Sequence, residues 1–432
     1  MRRPLASCLL LSVFCLISRT VPAEDWPSWR GPSGTGISSE TNLPTEWSPE
    51  KNVAWKLALP GPAGATPVVW GNQIFLTSVN DAGELLLMSV DTSGKVQWQQ
   101  VVASGNQNAR GDEGNSASPS PVTDGRHVWT FMGEGTLACY TVTGQQVWKQ
   151  NVQDAYGKFS IQFGMSSTPV LEDGKLFLQL IHGEGNPQTR EAVVVALDGL
   201  TGKQIWKVDR PSDAEAENEH SYASPVLYRD GSTKLLLSHG ADVIVAHDLR
   251  DGHEVWRCGG LNRRDDTLLP YDPTLRFVAS PAVAPGLIVV PSAKQHPVIA
   301  IRPDGQGDIT NVADKKVWSW KRTPDVPSPI IHEGLVYLCM ENGNLTVLEA
   351  ESGKEVYSQA THRQRHRASP VWADNKLYLT ARDGRVTVVQ SGREFKSLAT
   401  NDLGEDQSAS PVISGGTIYL RTFKTLWAIR GK

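Results

Sequence analysis

The sequence predicts an all-β protein: an eight-bladed β-propeller of four-stranded antiparallel blades, closed by an N-terminal strand that completes the last blade. Three observations carry this expectation. A Ser/Thr-Pro-Val phrase, or a close variant, returns eight times. Between successive phrases a Gly-containing turn is followed by a tryptophan at a fixed offset. One surplus strand near the N-terminus matches one missing strand at the C-terminus.

The phrase reads Thr66-Pro67-Val68, Ser120-Pro121-Val122, Thr168-Pro169-Val170, Ser224-Pro225-Val226, Ser280-Pro281-Ala282, Ser328-Pro329-Ile330, Ser369-Pro370-Val371 and Ser410-Pro411-Val412. The prolines are 54, 48, 56, 56, 48, 41 and 41 residues apart. That spacing holds one four-stranded unit and its loops, so the chain reads as one repeat array and not as two or three ordinary domains. In the unit at Pro169, residues 168–171 read as a first strand and Glu172-Asp173-Gly174 as a hairpin turn. Residues 175–181, 192–197 and 203–208 read as the second, third and fourth strands. Four such strands in sequence form a meander, the unit of a propeller blade.

Trp98, Trp148, Trp206, Trp256 and Trp318 mark the fourth strands of the first five units and Tyr357 that of the sixth. In the seventh, the fourth strand is expected to end in Phe395 and Leu398, without a tryptophan. A ring at an equivalent point of each unit is expected to wedge between neighbouring blades. The eighth unit supplies only three strands before the chain stops. Residues 52–57, with Trp55 at the blade-ending position, provide the fourth and remove the exposed edges of an open array.

Residues 1–23 read as a signal peptide. Arg2 and Arg3 precede an apolar stretch too short to span a bilayer comfortably, and Val21-Pro22-Ala23 offers small residues for cleavage after Ala23. Residues 24–46 form an N-terminal extension, and 47–432 the propeller. Removing the signal takes away three arginines and no acid, leaving 39 basic against 46 acidic residues, net −7. A mildly acidic surface excludes general nucleic-acid binding, which needs a basic footprint. Cys139, Cys258 and Cys339 remain, odd in number and widely spaced; the expectation is three small buried hydrophobes and no disulfide framework.

The stretches at 193–206 (VVVALDGLTGKQIW) and 85–98 (LLLMSVDTSGKVQW) resemble the repeats of pyrroloquinoline-quinone (PQQ) enzymes and their non-enzymatic relatives. The resemblance runs from about Trp47 to the C-terminus and implies an eight-bladed quinoprotein-like propeller. The opening 25–36 (DWPSWRGPSGTG) is similar to the start of exported bacterial PQQ-repeat-like proteins, and the assembly protein BamB shares the fold. The resemblance also implies what a quinone enzyme would carry: two adjacent cysteines, a carboxylate–amide set for Ca²⁺ and a catalytic Asp. The sequence has no Cys-Cys pair and no Cys-x-x-Cys-His haem site. No cofactor residue is therefore assigned, no cofactor is predicted, and PQQ with Ca²⁺ belongs only to the alternative reading.

The loops preceding each phrase gather at one end of the ring, and loops on a rigid scaffold are where binding usually resides. Residues 361–367 (THRQRHR) stand out: His362, Arg363, Arg365, His366 and Arg367, with Arg263 and Arg264 from another loop, are ligand-face candidates for an anion. No metal-ligand spacing, Ser-His-Asp order or phosphate loop occurs. The expected function is an exported, non-catalytic binding or scaffold propeller of the periplasm or cell envelope. It would be a monomer that binds protein segments or anionic surface polymers. The alternatives are a PQQ-dependent oxidoreductase with a variant cofactor site, and a lyase or glycosidase in the central funnel, for which no acid/base pair can be named.

Overall fold

The computed structural model describes residues 23–109, 113–183, 192–262 and 270–431; the signal segment up to residue 22 lies outside them. Eight antiparallel sheets are arranged as eight blades, seven of four strands and one of five. Blade 3 is representative: Val170–Glu172, Lys175–Ile181, Ala192–Asp198 and Gln204–Asp209 pair in sequence order. Blade 4 gains a fifth, parallel strand from Gly307–Asp308. Second and third strands are buried almost throughout, as in Gln73–Val79 and Glu84–Asp91 of blade 1, because neighbouring blades cover both faces. The fourth strand, Val96–Ser104, alternates half-buried and exposed residues because it forms the outer rim.

Blade 8 consists of Val412–Ser414, Thr417–Arg421 and Thr425–Ile429, completed by Val53–Ala58 from the other end of the chain. The register pairs Trp55 with Ala428 and Leu57 with Leu426. The closure expected from strand counting is thus present, and it gives blade 8 the four strands of its neighbours. The seventh blade's fourth strand is Ser397–Asp402, so it extends past Leu398 and starts after Phe395.

The first strand of blade 3 begins at Val170, two residues later than the sequence suggests, and the reason organises the ring. Proline has no N–H to give to its own hairpin. The N–H of the preceding Ser or Thr is directed sideways, to the hydroxyl of the equivalent residue one blade on. Thr66 donates to Ser120 Oγ (2.9 Å), Ser120 to Thr168 Oγ1 (3.1 Å), Thr168 to Ser224 Oγ (2.9 Å) and Ser224 to Ser280 Oγ (2.9 Å). Ser280 donates to Ser328 (2.9 Å), Ser328 to Ser369 (3.0 Å), Ser369 to Ser410 (3.1 Å), and Ser410 back to Thr66 Oγ1 (3.1 Å). All eight residues are buried. The phrase therefore forms a closed hydrogen-bonded girdle around the channel.

The outer rim is joined by the tryptophans. The Trp55 indole donates to Thr92 O (2.9 Å), Trp98 to Val142 O (2.9 Å), Trp148 to Gly199 O (2.8 Å), Trp206 to Leu249 O (3.2 Å), Trp256 to Pro303 O (2.8 Å) and Trp318 to Ala350 O (2.8 Å). Each acceptor lies in the third turn of the next blade. Gly94 and Gly202 show why glycine stands in that turn. Both have positive φ, and a β-carbon there would come within 2.7 Å of Trp55 or 2.9 Å of Trp148. Where the tryptophan is missing, other rings take over: Tyr357 meets Phe395 at 5.9 Å, and Trp47, just after the extension, stacks on Tyr378 at 6.3 Å.

The extension runs across the end of the ring that carries the first hairpin turns. Trp26 pairs with Val69 of blade 1, and Gly36 and Ser38 flank Trp372 of blade 7. The guanidinium of Arg30 is wholly buried and donates to Pro329 O (2.8 Å) and Pro370 O (3.1 Å), the carbonyls of two phrase prolines. Burial pushes its pKa down to about 9, and the group stays charged at neutral pH.

Replacing Ser224 by Ala leaves the buried Thr168 N–H without its acceptor, and thermal or denaturant unfolding is expected to show a loss of about 1–3 kcal/mol. Ser224→Thr, which keeps the hydroxyl as Thr66 and Thr168 do, is expected to lose far less; equal losses for the two variants would contradict the girdle.

Candidate functional site

The channel opens at the end where the loops precede each phrase. There it forms a cup of about 280 Å³ whose lining includes all eight girdle residues. Trp29, carried by the extension, lines both this cup and a second cavity of about 320 Å³ on the opposite side. The adjoining anchor, Arg30, fixes the backbone that presents it. The extension thus places Trp29 between the cup and the cavity on the opposite side. Phe163 and Tyr222 form an aromatic wall, in edge contact at 6.0 Å, and the Arg276 guanidinium lies 4.7 Å from the Phe163 ring centroid. Burial lifts the Tyr222 phenol to about 12, so it remains a neutral hydroxyl.

The mouth is crossed by a clasp. Arg367, in the loop before blade 7, donates through Nε to Glu113 Oε2 (2.6 Å) and through Nη2 to Glu113 Oε1 (2.9 Å); Glu113 lies in the loop before blade 2. Arg365 adds a further bond to Glu113, and Arg367 Nη1 reaches Glu341. Beside this clasp Asp325, which accepts from Lys294 N–H (3.0 Å), is pushed upward by burial and by the neighbouring Glu341 carboxylate.

The residues singled out from the sequence separate into distinct environments. Arg365 and Arg367 converge on one carboxylate. His362 pairs with Asp383 (2.8 Å), whose carboxyl stays below its ordinary value because the bonds from His362 and Arg385 outweigh its desolvation. His366 is buried and bonds Gln364 O through Nδ1 (2.8 Å), while Arg363 is exposed. Arg263 and Arg264 lie outside the described residues. Sequence reasoning missed Trp29, Phe163, Tyr222, Arg276 and Asp325 as cup residues. The signal for Trp29 was its place in the opening stretch 25–36, whose resemblance to other proteins assigned it no role.

The fold raises the fit of PQQ and Ca²⁺. Both Glu113 oxygens are held by arginines. The Asn115 amide donates to Pro62 O (2.7 Å) and accepts from Ala117 N–H (3.0 Å). Cys139, Cys258 and Cys339 are free thiols buried in blades 2, 4 and 6, which burial pushes up to about 12, 11 and 12. The described residues therefore do not form the adjacent-cysteine and carboxylate–amide set of that site. Asp248, Asp251 and His253 cluster on a surface turn of blade 4, away from the cup, where Arg250 and His253 already bond the two carboxylates.

Desolvation alone would raise the Glu113 pKa, yet Arg367 and Arg365 hold it below the ordinary glutamate value. A carboxyl whose folded pKa is depressed gives stability that is complete above its unfolded pKa and lost as pH falls through the folded one. The clasp is therefore expected to hold at neutral pH and to loosen below about pH 4. Hydrogen-exchange protection of Asn115–Ala117, compared at pH 7 and at acid pH and in Glu113→Gln, measures this; unchanged protection in both would contradict it.

Comparison with known proteins gives three results. The family model described as outer membrane protein assembly factor BamB matches residues 89–301 and 240–430. The chain is 26% identical to a Pseudomonas polyvinylalcohol dehydrogenase over 198 residues, 43% of this chain but only 29% of that enzyme. It is 24% identical to Yersinia pestis BamB over 270 residues, 54% of this chain and 67% of that protein. The crystal structure of BamB from Moraxella catarrhalis superposes with a TM-score of 0.62 at 12% identity, covering 87% of this chain and 99% of that one. Among the described residues no helix is long and apolar enough to cross a membrane. With a family match spanning most of its length, the chain belongs to the PQQ-like β-propeller family of the outer membrane protein assembly factor BamB.

Proposed function

We propose that the chain is a non-catalytic binding propeller exported to the periplasm or cell envelope, with its loop-bearing end as the binding face. Protein segments or surface polymers are its partners there. The observation that carries this reading is the state of the charged groups at the mouth. Glu113, Arg365, Arg367 and Glu341 are bonded to one another, which shapes and stiffens a surface instead of presenting an activated nucleophile or base. The cysteines are buried and separate, which suits packing and not redox chemistry. The likeness to BamB supports the reading, since BamB is an outer membrane protein assembly factor.

The second reading, a PQQ-dependent oxidoreductase with a variant cofactor site, draws on the 26% identity to a polyvinylalcohol dehydrogenase. One experiment separates the two. The protein is incubated with PQQ and Ca²⁺, dialysed, and examined for quinone absorbance and for dye-linked alcohol oxidation, alongside a pull-down from an envelope fraction. The expected outcome is no retained quinone, no dye reduction and capture of an envelope component. Stoichiometric quinone with alcohol-dependent dye reduction would establish the oxidoreductase instead.

A further inference from the structure

We propose that the cup is a carbohydrate site, in which one pyranose residue lies on Trp29 inside the hydroxyl girdle. This rests on the binding-propeller reading and names the ligand of that same face.

The girdle is the first reason. Each of its eight hydroxyl oxygens accepts a backbone N–H from the preceding blade at 2.9–3.1 Å. Among the described residues no hydrogen bond takes the hydroxyl protons in return. The cup is therefore encircled by hydroxyls that each keep a proton to donate and one lone pair to accept. A ligand that satisfies them carries groups around its circumference that both accept and donate, as sugar hydroxyls do.

The floor is the second reason. Trp29 lines the cup with an aromatic surface, and Phe163 and Tyr222 continue it up one side. A pyranose has this combination: an apolar C–H face for the indole, and oxygens spread around its edge for the girdle.

The rim is the third reason. Its charges are paired, Glu113 with Arg365 and Arg367, and Arg276 with Glu217. That balance favours a hydroxyl-rich ligand over a polyanion. With Trp29 standing between the two cavities, the cup suits the end of a chain or a side branch.

The test is titration of the full mature chain with methyl glycosides of glucose, galactose, mannose and glucuronic acid, followed by calorimetry and tryptophan fluorescence. At least one is expected to saturate the protein with millimolar or tighter affinity. Trp29→Ala is expected to weaken it about tenfold or more, and Trp29→Phe to retain most of it. Since Trp29→Ala could disturb the extension, saturation-transfer NMR on the unaltered protein supplies a second readout, with the strongest contacts expected at the C–H protons of one sugar face. Absence of saturable binding by all four glycosides, or equal affinity in Trp29→Ala, overturns the assignment. Envelope capture without glycoside binding removes the sugar assignment alone; quinone retention removes the binding-propeller reading beneath it.

Discussion

The hydrogen bond from each Ser/Thr N–H to the next blade's hydroxyl is the constraint on which the rest of this molecule depends. It requires a hydroxyl residue, because the oxygen must accept. It is helped by the following proline, which has no N–H to draw the chain into an earlier hairpin. Repeated eight times, it sets how far each blade stands from the next. The last link, Ser410 to Thr66, joins residues 344 apart, so it forms only when the two ends of the chain meet in one ring. The strand Val53–Ala58 and the Trp55 contact to Gly94 maintain the same closure at the outer rim.

Two consequences for the site follow from that geometry. The girdle places eight hydroxyl residues around the cup, each already accepting one backbone N–H. It also starts each first strand at the same height, so the preceding loops emerge together and can touch across the mouth. The clasp between Glu113 and Arg367 joins blades 2 and 7 in this way, over the top of blades 8 and 1. From the other side the extension inserts Trp29, held by a buried guanidinium on two phrase carbonyls. A scaffold common to assembly factors and dehydrogenases becomes a particular receptacle through these two additions.

Periodic features were legible in the sequence and singular ones were not. The blade count, the antiparallel meander and the N-terminal strand completing blade 8 could be read because each is repeated or is the one gap in a repeat. The residue that anchors the mouth could not be. Arg365 and Arg367 read locally as a free cationic patch, but their acceptor, Glu113, lies more than 250 positions earlier and carries no local signature. Trp29 looked like one of several tryptophans, and only the folded path of the extension brings it to the channel. The first-strand start of blade 3 was misplaced by two residues, because a strand pattern cannot reveal that the N–H of Thr168 is bonded to another blade.

The central claim is that the girdle acts as one closed cooperative element. Native-state hydrogen exchange of the amides of Thr66, Ser120, Thr168, Ser224, Ser280, Ser328, Ser369 and Ser410 tests it most directly. A closed girdle requires all eight to exchange only through global unfolding, with one common free energy of opening. Fast, independent exchange at one of these amides while its neighbours stay protected would show that the ring is a set of separate contacts, and would contradict the account.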